Sequence, residues 1–164
     1  MKAARQIHER ARYLRGRFLN SVAVIEREIA VILTEYFCTS DPEKQELFFR
    51  YVVTSPSFTL RTKKDVLIRI VKKDYPRYWD GHGEFLKDLD DIMVFRNKLA
   101  HSVVDVSESA LARPLEKGVG FVDWNQGEPI TDEQFQEWEV KANMARSCLI
   151  EIKRLLPFKE RPKA

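Results

Sequence analysis

The sequence predicts an all-α protein, a helical bundle of about five helices with one small β-hairpin inserted before the last of them. Three observations lead there. Apolar residues recur at three- and four-residue spacing over most of the chain. Prolines and capping residues fall between those periodic stretches. One stretch, GVGFVDWNQGEPI, breaks the pattern by placing β-branched and aromatic residues ahead of a turn signal.

The first helix is expected from Ala3 to Phe37, a span without proline. Its apolar positions are Leu14, Phe18, Val22, Ile25, Ile29 and Ile32/Leu33, and Gly16 is a candidate bend. Asp41, Pro42 and Glu43 open a second helix that ends before Pro56, because proline suits the first helical position and acidic residues suit the first turn. A third runs from Thr62 to Tyr75, with Val66, Leu67, Ile70 and Val71 as its buried side, and Pro76 closes it. RYWDGHG is expected to be a loop, and His82 a residue at the start of the next helix, without chemistry. The fourth helix runs from Glu84 to Val103. A hairpin then occupies 117–131, turning at NQG. Thr131 with Gln134 forms a capping box that opens the last helix, Asp132 to Leu156.

A chain of 164 residues suits one domain, 1–164, and 44% hydrophobic residues supply a real core. Charged residues make up 32% but nearly balance, and a net charge of +3 is too small to argue for nucleic acid by itself. No apolar run approaches the roughly 18–20 residues of a membrane span, and the basic N-terminus has no apolar segment of the signal-peptide kind. Cys38 and Cys148 lie far apart among apolar residues, the pattern of reduced, buried thiols. The expectation is a cytoplasmic protein with no membrane partner, no metal and no cofactor. Three histidines and two cysteines without ligand spacing argue against zinc, and no Walker loop, G-x-S-x-G elbow or acidic metal cluster is present.

FRNKLAHS, residues 95–102, is the segment that bears on function. On a wheel turning about 100° per residue, Phe85, Leu89, Ile92, Leu99 and Val103 all fall within about 60° of Arg96. This puts Arg96 at the centre of the expected apolar stripe. A guanidinium does not shed its charge, so such a position demands an acidic partner, an interface or a water-filled cleft. Asp90, Asn97 and His101 lie along one edge of the same stripe, and Asn97 and His101 form an i, i+4 pair. Arg96 and His101 are about 140° apart. Either the long arginine reaches round the helix, or two copies of the helix meeting face to face combine them.

R-N-K-L-A-H resembles the R-x(4–6)-H motif of the HEPN superfamily, in the form with a polar residue, often asparagine, after the arginine. The helical pattern, the chain length and the place of the motif near the end of the penultimate helix resemble that family as well. The motif itself covers only Arg96, Asn97 and His101. Many members of that family are metal-independent endoribonucleases that work as dimers. The resemblance therefore implies an RNA substrate and a homodimer through the Arg96 face. His101 would do acid–base work on the ribose 2′-hydroxyl or the leaving 5′-oxygen, and histidine as a type suits this at neutral pH. Arg96 would stabilise the pentacoordinate phosphate, and Asn97 would orient His101 or hold a phosphate oxygen. Asp90 is a candidate orienting residue. Products would be a 2′,3′-cyclic phosphate and a 5′-hydroxyl end. The settings implied are a toxin or an anti-phage effector, with a cognate antitoxin or regulatory protein as partner.

A second reading stays open beside this one. A histidine in a last helical turn interacts well with the dipole and the free carbonyls, and an arginine can bridge to a neighbouring helix. The chain would then resemble the catalytically silent, regulatory members of the family, such as mannitol-operon-repressor-like proteins. Candidate RNA-binding cations are Arg12 and Arg15 in the first helix and Lys63, Lys64, Lys72, Lys73 and Arg77 around the third. They also fit the solvated faces of amphipathic helices, the commoner reason for such cations. Tyr75, Tyr78 and Trp79 beside Arg77 would either stack on bases or pack over a bundle end.

Overall fold

A computed structural model describes residues 2–39, 41–122 and 129–156. Among these the protein is all-α. The helices are α1 (Lys2–Cys38), α2 (Pro42–Phe48), α3 (Leu60–Asp74), α4 (Pro76–His82), α5 (Glu84–His101), α6 (Glu108–Leu111) and α7 (Asp132–Leu155). Phe49–Val53 continues α2 as a π-helical turn, and Leu115–Lys117 is a 3-10 turn. No helix among the described residues is long and apolar enough to cross a membrane.

Local chemistry accounts for the boundaries. Asp41 caps α2, its carboxylate accepting from the Lys44 N–H at 3.1 Å, with Pro42 in the first turn. Thr59 caps α3 through the Thr62 N–H. The Thr131–Gln134 box closes reciprocally: the Gln134 N–H donates to Thr131 Oγ1 at 3.2 Å, and the Thr131 N–H to Gln134 Oε1 at 3.1 Å. Gly16 does not interrupt α1.

Expectation and structure differ at RYWDGHG, which is helix α4 and not a loop. Pro76 stops α3 and also occupies the first position of a new helix, a place that suits its missing N–H. Gly83 caps the end of α4, its N–H donating to the Trp79 carbonyl at 2.8 Å, and a β-carbon there would lie 2.9 Å from that oxygen. His82 therefore ends α4 and does not start a helix. Its ring stacks on Tyr78, centroids 4.5 Å apart.

The chain packs as two compact units, Met1–Val22 with Asp90–Asn143 and Ala23–Leu89 with Met144–Ala164; α1, α5 and α7 contribute residues to both. In the first unit, Ile7, Ala11, Leu14, Phe18 and Val22 give α1 a buried stripe, joined by Ile92, Phe95, Leu99, Phe135 and Ala142. Its centre is aromatic. Phe95 meets Phe18 edge-on at 4.7 Å and stacks on Trp138 at 4.3 Å, contacts worth about 0.5–1.5 kcal/mol each beyond burial.

The segment after α5 pairs in antiparallel sense, Val104 with Phe121 and Val119 with Ile130. These are isolated bridges, so no strand forms among the described residues. The expected turn, Asn125 to Gly127, lies outside the described residues, as does Trp124. Gly118 makes the second bridge possible. Its φ is 97°, and a β-carbon would lie 2.2 Å from the Ile130 carbonyl oxygen.

In the second unit the core comes from Ile25, Ile29, Ile32 and Leu33 of α1, with Leu67, Val71, Phe85, Leu89, Leu149 and Ile152. Thr34 is buried too, its hydroxyl returned to the Ala30 carbonyl at 2.9 Å. Cys38 and Cys148 are half-buried free thiols, and burial raises the pKa of each.

Candidate functional site

The last three turns of α5 carry the residues singled out by sequence, and burial along that helix decides where they point. Phe85, Leu89, Ile92, Phe95, Leu99 and Ser102 are buried in steps of 4, 3, 3, 4 and 3, an average of 3.4 residues. A repeat shorter than 3.6 drifts round the helix, here by about 100° over five turns. The wheel centred on Arg96 therefore holds for the start of α5 and fails at its end. The core takes Phe95 and leaves Arg96 exposed, together with Val103, which is 63% accessible. The expected arginine in the apolar stripe is corrected: Arg96 sits beside the stripe, in water.

Asp90, Asn97 and His101 are exposed as well. Arg96 Nη1 donates to Asn97 Oδ1 at 2.9 Å. That bond spends the carbonyl oxygen of Asn97, leaves its amide N–H groups outward, and leaves most of the guanidinium fork facing solvent. No carboxylate pairs with Arg96, and no hydrogen bond joins Asn97 to His101, among the described residues. The structure thus brings Arg96 and Asn97 together and keeps His101 separate, one turn on.

The end of α5 has its own cap. Arg15 Nη2 donates to the Ser102 carbonyl at 2.7 Å, and its guanidinium lies 5.4 Å from the centre of the Phe121 ring. Arg15 Nε is buried without a partner. Arg15 is therefore committed to holding the exit of α5 and is not a free cation for a nucleic acid. The sequence signal for this was only its i+4 relation to Ala11 on a helix edge. Arg12, by contrast, is exposed.

Around α3 the candidates divide in the same way. Lys63 and Lys64 are each only 5% accessible. Lys63 Nζ lies 2.5 Å from Glu26 Oε1, and Lys64 Nζ lies 3.6 Å from Asp65 Oδ1. Both are corrected from candidate RNA contacts to buried residues of the fold. Lys72, Lys73 and Arg77 are exposed, and the Lys72 ammonium lies 4.3 Å from the centre of the Trp79 ring. No group of three or more His, Cys, Asp or Glu able to hold a metal ion occurs among the described residues. No family model, curated protein or solved structure matches the chain.

Proposed function

We propose that this chain is an HEPN-like, metal-independent endoribonuclease acting as a homodimer through the Arg96 face. The observation that carries the reading is the uncommitted state of Arg96, Asn97 and His101. All three are exposed in the last two turns of one helix, and Arg96 is held by a neutral amide and not by a carboxylate. Arg15 already serves the carbonyl at the end of α5, so His101 is not needed there.

The chemistry follows from the residue types. The ribose 2′-oxygen bonds to phosphorus as the bond from phosphorus to the 5′-oxygen breaks. His101 takes the 2′-hydroxyl proton, His101 of the second copy supplies one to the 5′-oxygen, and proton count is conserved. Arg96 places its free N–H groups on the phosphate oxygens, where charge accumulates in the transition state. Asn97, held by Arg96, offers its amide N–H groups to the same phosphate. Val103 and Val122, both exposed and joined by a 2.8 Å backbone bond, lie just past His101 and give a second copy an apolar patch to cover. Proteins of this kind serve as toxins or anti-phage effectors, with an antitoxin or regulator as partner.

A silent binding module is the competing reading, favoured by the separation of His101 from Arg96 and Asn97 within one chain. Incubating mixed RNAs in EDTA with wild type, Arg96→Ala and His101→Ala decides between them. Cleavage by wild type alone, with cyclic-phosphate ends, supports the nuclease. Cleavage by all three removes the assigned roles, and cleavage by none leaves the silent module.

A further inference from the structure

Several cations exposed on α3 and α4 meet no carboxylate among the described residues. Arg61, Arg69, Lys72 and Lys73 project from the side of α3 opposite Leu67, Ile70 and Val71, and Arg77 adds a fifth from α4. Arg5, Arg10, Arg17, Lys44, Lys87 and Lys153 each meet a carboxylate. Arg61, Arg69, Lys73 and Arg77 meet none among the described residues, and Lys72 rests over the Trp79 ring. The acids nearest in sequence are engaged: Asp65 faces Lys64, and Asp74 accepts from the Tyr36 hydroxyl.

Where α3 ends and α4 begins lies an open depression of about 330 Å³ lined by Asp74, Tyr75, Pro76, Arg77, Tyr78 and Leu155. Its walls are planar and apolar except for Arg77 and Asp74. Arg77 brings a cation to the depression itself. The platform is held firmly. The Tyr78 hydroxyl lies 3.1 Å from the Cys148 carbonyl and 3.1 Å from Glu151 Oε2, sharing its proton between them. Gly83 packs against Trp79 with no room for a side chain.

We propose that the exposed face of α3 with the depression at α4 is a binding platform for single-stranded nucleic acid. Phosphates lie along the unpaired cations of α3, and one unstacked base enters the depression against Tyr75, under the Arg77 guanidinium. A duplex offers no free base to such a depression. A lipid surface is disfavoured because the α3 face, with Arg61, Thr62, Asp65, Arg69, Lys72 and Lys73, has no apolar side chain to insert. An acidic peptide needs the cations but not an aromatic-walled depression. The platform does not depend on whether Arg96 and His101 cut RNA.

The test is fluorescence anisotropy with labelled single strands of about 12 nucleotides, within the usual site size. DNA is used with wild type, since it lacks the 2′-hydroxyl, and RNA with His101→Ala. Both bind, and the logarithm of affinity falls against that of salt concentration with a slope of about −2 to −3.5 for three to five phosphate contacts. Arg69→Glu with Lys73→Glu weakens binding about tenfold or more and takes about 1.4 from the slope. The control Lys117→Glu, on the other compact unit, leaves both unchanged. An abasic strand of equal charge binds severalfold more weakly, and Arg77→Gln removes that difference; this single variant serves if the double one folds poorly. Three results overturn the proposal: no binding at low salt, an unchanged slope in the double variant, or tighter binding to polyglutamate or anionic vesicles than to the strands.

Discussion

Helix α3 hides two lysines, whereas the end of α5 displays an arginine and a histidine. Lys63 and Lys64 are 5% accessible, and the Lys63 ammonium lies 2.5 Å from Glu26. Arg96 is in solvent and donates to the neutral amide of Asn97. A buried ammonium must be compensated inside the fold, and losing its partner from a fully buried pair costs about 3–5 kcal/mol. An exposed guanidinium needs no such partner. Charge in the first case is invested in architecture, and in the second it is available to a ligand. The same distinction separates Arg15, bound to Ser102 and Phe121, from Arg12 three residues earlier.

The largest effect expected of this contrast is on activity. His101→Ala and Arg96→Ala should each lower RNA cleavage by about 10²–10⁴-fold while the melting temperature stays within about 1 °C. A large fall in melting temperature would mean that these residues belong to the fold after all. Next come two neighbours on α5. Phe95→Ala, which empties the place between Phe18 and Trp138, should cost about 3–5 kcal/mol in urea denaturation, and Arg96→Ala less than about 0.5 kcal/mol. Similar costs for both would break the assignment of the buried stripe.

Glu26→Ala should cost about 2 kcal/mol. This is less than for a fully buried pair, because the Glu26 side chain is 37% accessible and partly screened. Lys63→Met in that background should recover most of the loss, since an apolar side chain tolerates the site. No recovery would mean that Lys63 has another charge partner. The smallest effect concerns Asp105, just past α5. The Ser107 backbone N–H, which donates to it at 2.9 Å, holds its carboxyl below the ordinary carboxylate range. A depressed folded value stabilises the native state above about pH 4 and loses that contribution as the pH falls through the folded value. Asp105→Asn should therefore cost well under about 1 kcal/mol at neutral pH, and the difference from wild type should vanish near pH 2.

Much of the helical scaffold was legible in the sequence because its signals are local. The Asp41–Pro42 start, the Thr131–Gln134 box and the proline-free run of α1 all involve residues within about a turn of one another. RYWDGHG was misread because proline and glycine mark loops and also mark helix ends, and only the anchoring of Tyr78 at Cys148 and Glu151 separates the two. Arg96, Asn97 and His101 were singled out by motif as candidates, but their surroundings were not legible. A wheel assumes a straight stripe, and the stripe of α5 drifts until Phe95 replaces Arg96 as the inward residue. The depression at α4 was out of reach, since Leu155 joins its wall from far along the chain.

By itself, the sequence determined that the protein is helical and where most of its helices start and stop. It also placed an arginine, an asparagine and a histidine on the last turns of one helix. Those features follow from backbone caps and side-chain periodicity, which act over a few residues. The tertiary structure alone decided which cations are buried and which are free. Lys63 and Arg15 find partners 37 and 87 residues away, while the partner of Arg96 among the described residues is its neighbour. A long-range partner is set by packing, and no local pattern encodes it.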